Sequence, residues 1–328
     1  MRSVVLVFVD GLGLGDRASP ANPVAHPDLD ILANFRASDW TPPPDGGRPA
    51  SLPEVVRLRP LPFGGVARGT DASLGVTGLP QSATGQTTLF TGVNAAQVLG
   101  RHLYAFPTAT LQRILLEHSI LKRVVDAGRP AVFANAFRPL FFELGDAVWK
   151  RGMSASSWAN RAAGLPFKTI EDIEQGRAVY QDITHDSLRA RLTSRGRGGL
   201  ELNAMDVPLR QPEEAGEILA SLAGRHAFTL FEFFQTDKAG HAVDRDKAER
   251  ELVKLERFLG GALNGLDLSA STLVVTSDHG NVEDLSTKSH THNPVPTLVF
   301  GRDATRLADK LDRLENFTPA FLDALGIH

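Results

Sequence analysis

Three apolar runs punctuate the chain, Val4–Val9, Phe228–Gln235 and Thr272–Thr276, each rich in Val, Leu or Phe and each followed closely by an acidic residue. Short continuous apolar runs without alternation are the pattern of strands buried on both faces, as in a parallel sheet. The acidic residues are Asp10, Asp237 and Asp278. Ala131–Asn135 and Pro296–Phe300 read as further strands. Helical periodicity occupies Thr110–Ala127, which stops at Gly128 ahead of Pro130, and also Pro212–Ala223, Arg245–Leu263 and about Phe317–Leu325. This alternation predicts crossover units and hence an α/β fold with a doubly wound, mostly parallel sheet. Ligands of such sheets bind outside the carboxyl ends of the strands. The three carboxylates are therefore expected to converge on one place although far apart in sequence.

Two stretches break the pattern. Residues from about Ser38 to Arg68 contain the run Thr41-Pro42-Pro43-Pro44-Asp45-Gly46-Gly47 and read as an exposed loop. From about Phe137 to Asp206 the periodicity is irregular, with exposed-looking tryptophans and the Gly/Arg-rich stretch Ser194–Gly199, which reads as an inserted lid. The expected organisation is a core of residues 1–136 and 205–328 with a lid region at 137–204. A length of 328 residues suits one large domain with such an insertion, or two domains.

Composition narrows the chemistry. The chain has no cysteine, which excludes disulfide scaffolds, thiolate metal sites, thiol nucleophiles and iron–sulfur clusters. A net charge of -3 carries neither a basic footprint for nucleic acid nor a polybasic membrane anchor. No apolar stretch approaches the roughly 20 residues that span a bilayer. The N-terminal run from Val4 to Val9 is short and ends on Asp10, so it reads as a buried strand rather than a signal peptide. A cytoplasmic location is the resulting expectation.

Five segments can carry chemistry. Asp10 is followed by Gly11-Leu12-Gly13-Leu14-Gly15, but the glycine spacing does not fit a dinucleotide fingerprint, and a carboxylate there would oppose a pyrophosphate. A metal-ligand carboxylate beside a glycine turn fits better. Asp237 and His241 are four residues apart, so on a helix they face one direction and can clamp one cation. Asp278 and His279 are adjacent at a strand end, where Gly280 permits a sharp turn. His290 and His292 lie in a loop that feeds the last strand, and the role of His292 stays open. In Pro80-Gln81-Ser82-Ala83-Thr84-Gly85-Gln86 a hydroxyl opens a helix. It is either an N-cap or, if it meets the carboxylates, a cation-activated nucleophile facing a phosphate at the helix N-terminus. Ser82 is the first choice and Thr84 the second. Carboxylates and imidazoles without thiolates favour manganese, zinc or magnesium.

In this order the motifs resemble the alkaline phosphatase superfamily, and within it the branch of cofactor-independent phosphoglycerate mutase and phosphopentomutase. The resemblance covers about residues 1–136 and 205–328 and fails across the lid. It matches Asp10 in FVDGLG, Ser82 in PQSATGQ, Asp237 and His241 in TDKAGH, Asp278 and His279 in SDHGN, and His290 in SHTHNPVP. It implies two divalent metal ions, one held by Asp237, His241 and His290, the other by Asp10, Ser82, Asp278 and His279, with Ser82 as catalytic nucleophile. Ala83 and Gln86 replace the mutase's acidic residue and histidine, and its acidic-arginine substrate motif has no counterpart. The implied function is phosphoryl transfer on a small phosphorylated metabolite, as a phosphomonoesterase or phosphomutase, with no nucleic-acid or membrane partner. The alternatives are a phosphodiesterase or other hydrolase of the same superfamily, and a non-catalytic metal-binding homologue. A formylglycine sulfatase is disfavoured because its cysteine is absent.

Overall fold

The computed structural model describes residues 2–16, 18–32, 59–193 and 207–328. Its strands are β1 (Ser3–Val9), β2 (Arg59–Pro60), β3 (Val66–Thr70), β4 (Ala131–Phe133), β5 (Asn135–Ala136), β6 (Val179–Tyr180), β7 (Phe228–Phe233), β8 (Ser271–Thr276) and β9 (Val295–Gly301). Seven of them form one mixed sheet in the order β2-β3-β9-β8-β1-β7-β4, and β5 pairs with β6 separately. The block β8-β1-β7-β4 is parallel throughout. By contrast, β9 runs antiparallel to both of its neighbours, and β2 runs antiparallel to β3.

Strand β1 lies at the centre, and all seven of its residues are buried. Alternate side chains enter opposite cores: Val5, Val7 and Val9 on one face, Val4, Leu6 and Phe8 on the other. The first core is covered by helices Pro212–Ala223 and Arg245–Gly265, and the second by Ser82–Thr91, Ala109–His118, Ile120–Asp126 and Phe317–Leu325. Registers pair Val9 with Phe233 and Phe8 with Thr276, so three parallel strands end nearly level. That level edge is what brings Asp10 together with Asp237 and Asp278, which lie more than two hundred residues further along the chain. Among the described residues no helix is long and apolar enough to cross a membrane.

Four expectations need correction. The helix expected over Thr110–Ala127 is two helices, because Ser119 takes an extended backbone (φ -61, ψ 143) and caps the second one by accepting from the Lys122 amide. A serine hydroxyl offers the backbone this alternative to a continuous helix without disturbing the apolar period. Val66–Arg68, read as part of an exposed loop, belongs to β3, and the Arg68 guanidinium donates to the Ala308 and Asp309 carbonyls at 2.7 and 2.8 Å. The proline-rich run Thr41–Gly47 lies outside the described residues, as does Ser194–Gly199. The apolar run Phe228–Gln235 leaves the sheet at Phe233, and Gln235 opens a helix. Finally, Trp158 is buried: the helix Ala155–Ala162 packs Ala155, Trp158 and Ala159 into the second core.

Helices Pro212–Ala223 and Arg245–Gly265 touch through glycines. A Cβ at Gly261 would run into the Glu213 carbonyl, and one at Gly216 into the Phe258 carbonyl. Backbone against backbone leaves no side chain to yield. Gly261→Ala is therefore expected to destabilise the fold by about 2 kcal/mol or more, read as a lowered urea midpoint with an unchanged slope.

Candidate functional site

The candidate site residues lie at the carboxyl ends of the central parallel strands, in the loops and helices next to them. Asp10 follows β1, and its amide donates to the Phe233 carbonyl at 2.9 Å, so the sheet ladder itself fixes the start of the turn. Gly11 then adopts φ +69, and a Cβ there would stand 2.7 Å from Asp237 Oδ1. Only glycine permits both the backbone turn and that approach. Helix Gln235–Ala242 carries Asp237 and His241 one turn apart on one face. Ser82 is the first residue of helix Ser82–Thr91, and Asp278 and His279 follow β8.

These side chains meet at hydrogen-bonding distance or a little beyond. Ser82 Oγ lies 2.9 Å from His279 Nε2. The same nitrogen is 3.3 Å from Asp10 Oδ1 and 3.5 Å from Asp278 Oδ2. Asp237 stands 3.4 Å from His241 Nε2 through Oδ2 and 3.6 Å from His290 Nε2 through Oδ1. The two histidine nitrogens are 3.2 Å apart. His279 and His290 stack with ring centroids 3.7 Å apart. Two sets of donors are compact enough to surround a metal ion: Asp237, His279 and His290, and Asp10, Asp278 and His279. All seven residues expected from the motifs are brought to one place, whereas His292 belongs to neither set. Thr84 faces away, its hydroxyl donating to the Gln81 carbonyl at 3.1 Å.

Backbone contacts aim the imidazoles. His241 Nδ1 is 2.7 Å from the Lys288 carbonyl and His290 Nδ1 is 2.8 Å from the Pro80 carbonyl, which leaves both Nε2 atoms directed at Asp237. Burial pushes the Asp10 carboxyl well above the usual range, with Asp278 adding repulsion. Burial and the Asp237 charge hold Asp278 at about 8. The same desolvation drives His279 far below an ordinary imidazole and lowers His290. Buried Asp10 Oδ1, Asp278 Oδ2 and His279 Nδ1 have no hydrogen-bond partner. Such a crowd of hard oxygens and imidazole nitrogens, partly unsatisfied and mutually repelling, fits a divalent cation.

Three further residues complete the site. Glu283, 1% exposed, accepts from the amides of Gly13 and Asn281 at 2.9 and 2.7 Å and from Thr291 Oγ1 and Asn293 Nδ2 at 2.5 and 3.0 Å. It ties the loops after β1 and β8 to the loop that bears His290. Asn281 donates to Asp237 Oδ1 at 2.7 Å, and Gln86 donates to Asp10 Oδ2 at 3.3 Å. None had a sequence signal of its own, although Asn281 and Glu283 directly follow the Asp278-His279-Gly280 motif.

Comparisons with known proteins bear on the family and the fold. Residues 210–328 match the family model of the metalloenzyme superfamily. A 2,3-bisphosphoglycerate-independent phosphoglycerate mutase from Halobacterium salinarum is 32% identical over 141 residues, covering 38% of this chain and 28% of that protein. One from Paracoccus denitrificans is 29% identical over 124 residues, covering 35% and 24%. The chain thus matches only about a quarter of the length of these curated relatives. Among solved structures, the PH0037 protein of Pyrococcus horikoshii superimposes with a TM-score of 0.52 at 15% identity over 100% of this chain and 97% of that one. Alkaline phosphatase from the Antarctic bacterium TAB5 gives 0.50 at 13% identity, covering 99% and 98%. The fold and site define an alkaline-phosphatase-like α/β protein. Over residues 210–328 the sequence is similar to the metalloenzyme superfamily, and the whole chain shares the fold of alkaline phosphatase.

Two outcomes follow from the buried acids around this site. Glu283→Ala would orphan four donors at once, so a stability loss of about 2–4 kcal/mol is expected in thermal or urea unfolding. Glu232, on β7, is pushed up to about 7 by burial, while a hydrogen bond from Ser156 pulls it back. Its folded value exceeds its unfolded value of 4.5, so its contribution is full below that value and is lost as pH rises through about 7. Against Glu232→Gln, wild-type stability should therefore fall by up to about 3 kcal/mol between pH 4.5 and 7 and level off above. A difference independent of pH would show that the carboxyl is not held protonated.

Proposed function

We propose that the chain is a two-metal phosphoryl-transfer enzyme that forms a phosphoserine at Ser82 and releases phosphate from a small phosphorylated compound. The observation that carries this reading is the contact of Ser82 Oγ with His279 Nε2 at 2.9 Å, at the first turn of a ten-residue helix and within the ring of carboxylates. In this reading Asp237, His241 and His290 hold one cation, and Asp10, Ser82, Asp278 and His279 hold the other. His279 stands between the two sets. Manganese or zinc suits these ligands, and magnesium is the third choice. When bound, the cations supply the positive charge that offsets the carboxylates and the phosphate oxygens and lowers the hydroxyl pKa.

The protein's own groups do the remaining work. The amides at the start of helix Ser82–Thr91 point toward the phosphate, and the helix dipole favours its charge. Ser82 Oγ passes its proton to water and bonds to phosphorus as the bond from phosphorus to the substrate alcohol breaks, and the departing alkoxide takes one proton back from water, which leaves phosphoserine and the free alcohol. Water then opens the serine ester and releases inorganic phosphate. Asn281 and Gln86 hold Asp237 and Asp10 in place through both steps. Residues 1–136 and 205–328 form the chemical core in this reading, and 137–204 the substrate region.

Hydrolysis is favoured over mutase action by the inserted segment. A mutase must hold its acceptor away from water, which calls for charged forks dedicated to one substrate. Arg138 lines the cavity over the site, but Arg161 stacks at 4.3 Å on Trp149 and Arg177 pairs with Asp172 at 2.9 Å. Arg189 is not among the lining residues. The side chain of Arg151 lies outside the described residues.

Turnover of p-nitrophenyl phosphate with added manganese, and its loss in EDTA, tests the reading. Acid trapping should place phosphate on Ser82, and Ser82→Ala should abolish turnover. Asp278→Asn and His241→Ala should each cut kcat by about a hundredfold or more while the chain stays folded. A metal content near zero after loading of a folded sample, or phosphate found on Thr84, would overturn the corresponding assignment.

A further inference from the structure

A cavity of about 550 Å³ opens from Asp10, Ser82, Gln86 and Asp237 and runs beneath the inserted segment. Beyond the site one stretch of wall is apolar, with Phe106, Phe137, Leu140, Phe141, Val148 and Met153 facing the space, while Asn135, Arg138, Gln181, Glu232 and Lys238 also line it. The aromatic wall is fixed from behind. Phe137 and Phe141 pack with centroids 4.4 Å apart, and Phe167 lies 5.0 and 4.8 Å from them. Trp149 backs the same cluster at 5.9 Å from Phe167.

The opposite wall is set by backbone conformation. Phe106 is half exposed and follows Ala105, which adopts φ +61, a left-handed conformation that a residue with a Cβ avoids. Its ring lies directly on Gly152 (φ +82), where any Cβ would strike the ring. Strain at Ala105 and the missing side chain at Gly152 both serve to lay one exposed aromatic ring along the cavity. Strain of this kind persists where the surroundings dictate it and clusters at ligand clamps.

Two polar groups of the wall, Asn135 and Glu232, are already committed to the protein, while Arg138 and Lys238 bring positive charge to it. The Asn135 side chain donates to the Glu232 carbonyl at 2.8 Å and accepts from the Glu232 amide at 2.8 Å. Glu232 Oε2 accepts from Ser156 at 2.5 Å. A polyhydroxylated alcohol laid against the aromatic wall would lose hydration without regaining equivalent hydrogen bonds. An apolar one would gain from every carbon buried.

We propose that the phosphoryl-transfer site acts on phosphomonoesters of apolar alcohols, with Phe106, Phe137 and Phe141 binding the alcohol and setting specificity. This rests on the function proposed above, and the test separates the two. With metal-loaded protein, kcat/KM is compared for octyl phosphate below its micelle concentration, methyl phosphate and glycerol 3-phosphate. All three release unactivated alkoxides, so a preference reports the cavity rather than leaving-group chemistry. Octyl phosphate should exceed glycerol 3-phosphate by about tenfold or more, and Phe106→Ala or Phe141→Ala should cut that ratio at least about threefold. Phe106 is exposed enough that its truncation spares the fold. In parallel, calorimetry compares octylphosphonate with methylphosphonate, neither of which can be hydrolysed. Equal kcat/KM values, or equal phosphonate affinities, overturn the proposal. If no phosphomonoester is turned over but octylphosphonate still binds at least about tenfold tighter, and this margin falls in Phe106→Ala, the apolar site stands and the phosphoryl-transfer reading fails.

Discussion

Three carboxylates crowded at the carboxyl ends of one sheet's strands are the constraint around which this structure is arranged. Parallel pairing of β1 with β7 and β8 levels the strand ends, so Asp10, Asp237 and Asp278 are driven together whether or not their charges are neutralised. Protons are one answer: Asp278 is held at about 8 and Asp10 is raised well above its usual range. Cations are the other, and they would take the same lone pairs. Around this repulsion stand groups that fix each acid in place. Asn281 holds Asp237, Gln86 holds Asp10, and the Gly11 turn lets the first loop pass directly beside Asp237.

Much of this was legible in the sequence because a doubly covered parallel strand announces itself by unbroken apolar residues and ends abruptly where the sheet does. Val4–Val9 with Asp10 and Thr272–Thr276 with Asp278 show both features. Helix Pro212–Ala223 matches residue for residue, since Pro212 opens it and its apolar face is continuous. The edge of the sheet was not legible. Strand β3 reads Val-Ala-Arg-Gly-Thr, and the buried Arg68 donates to carbonyls some 240 residues away. Glu283 fails to signal itself for the same reason. Its four donors come from Gly13, Asn281, Thr291 and Asn293, and a lone glutamate in a loop says nothing about loops it will later meet.

The inserted segment was read as a lid because its periodicity is irregular and its tryptophans looked exposed. Irregularity there reflects short elements rather than absence of packing. Trp158 is buried in the core, and Trp149 is sandwiched between Trp158, Phe141 and Arg161. An arginine laid on an indole covers apolar surface and keeps its charge wet, which sequence alone cannot distinguish from an arginine waiting for phosphate.

In the proposed reading chemistry and substrate contact are built from different parts of the chain, and the two parts share a joint. Strand β4 lies in the main sheet, and β5 begins two residues later and pairs with β6 of the inserted segment. Between them Ala134 donates to the Leu230 carbonyl and accepts from the Val179 amide, so one residue is bonded to both sheets. Asn135 then clamps the backbone of Glu232, and Ser156 of the segment holds the Glu232 side chain. Glu232 lies on β7, five residues before Asp237. A displacement of the cavity wall must thus pull on the strand that delivers a candidate metal ligand, because close-packed interiors transmit strain rather than absorb it. A wall replaced on this scaffold is free to change what it contacts, but only within the positions that β7 and Glu232 allow.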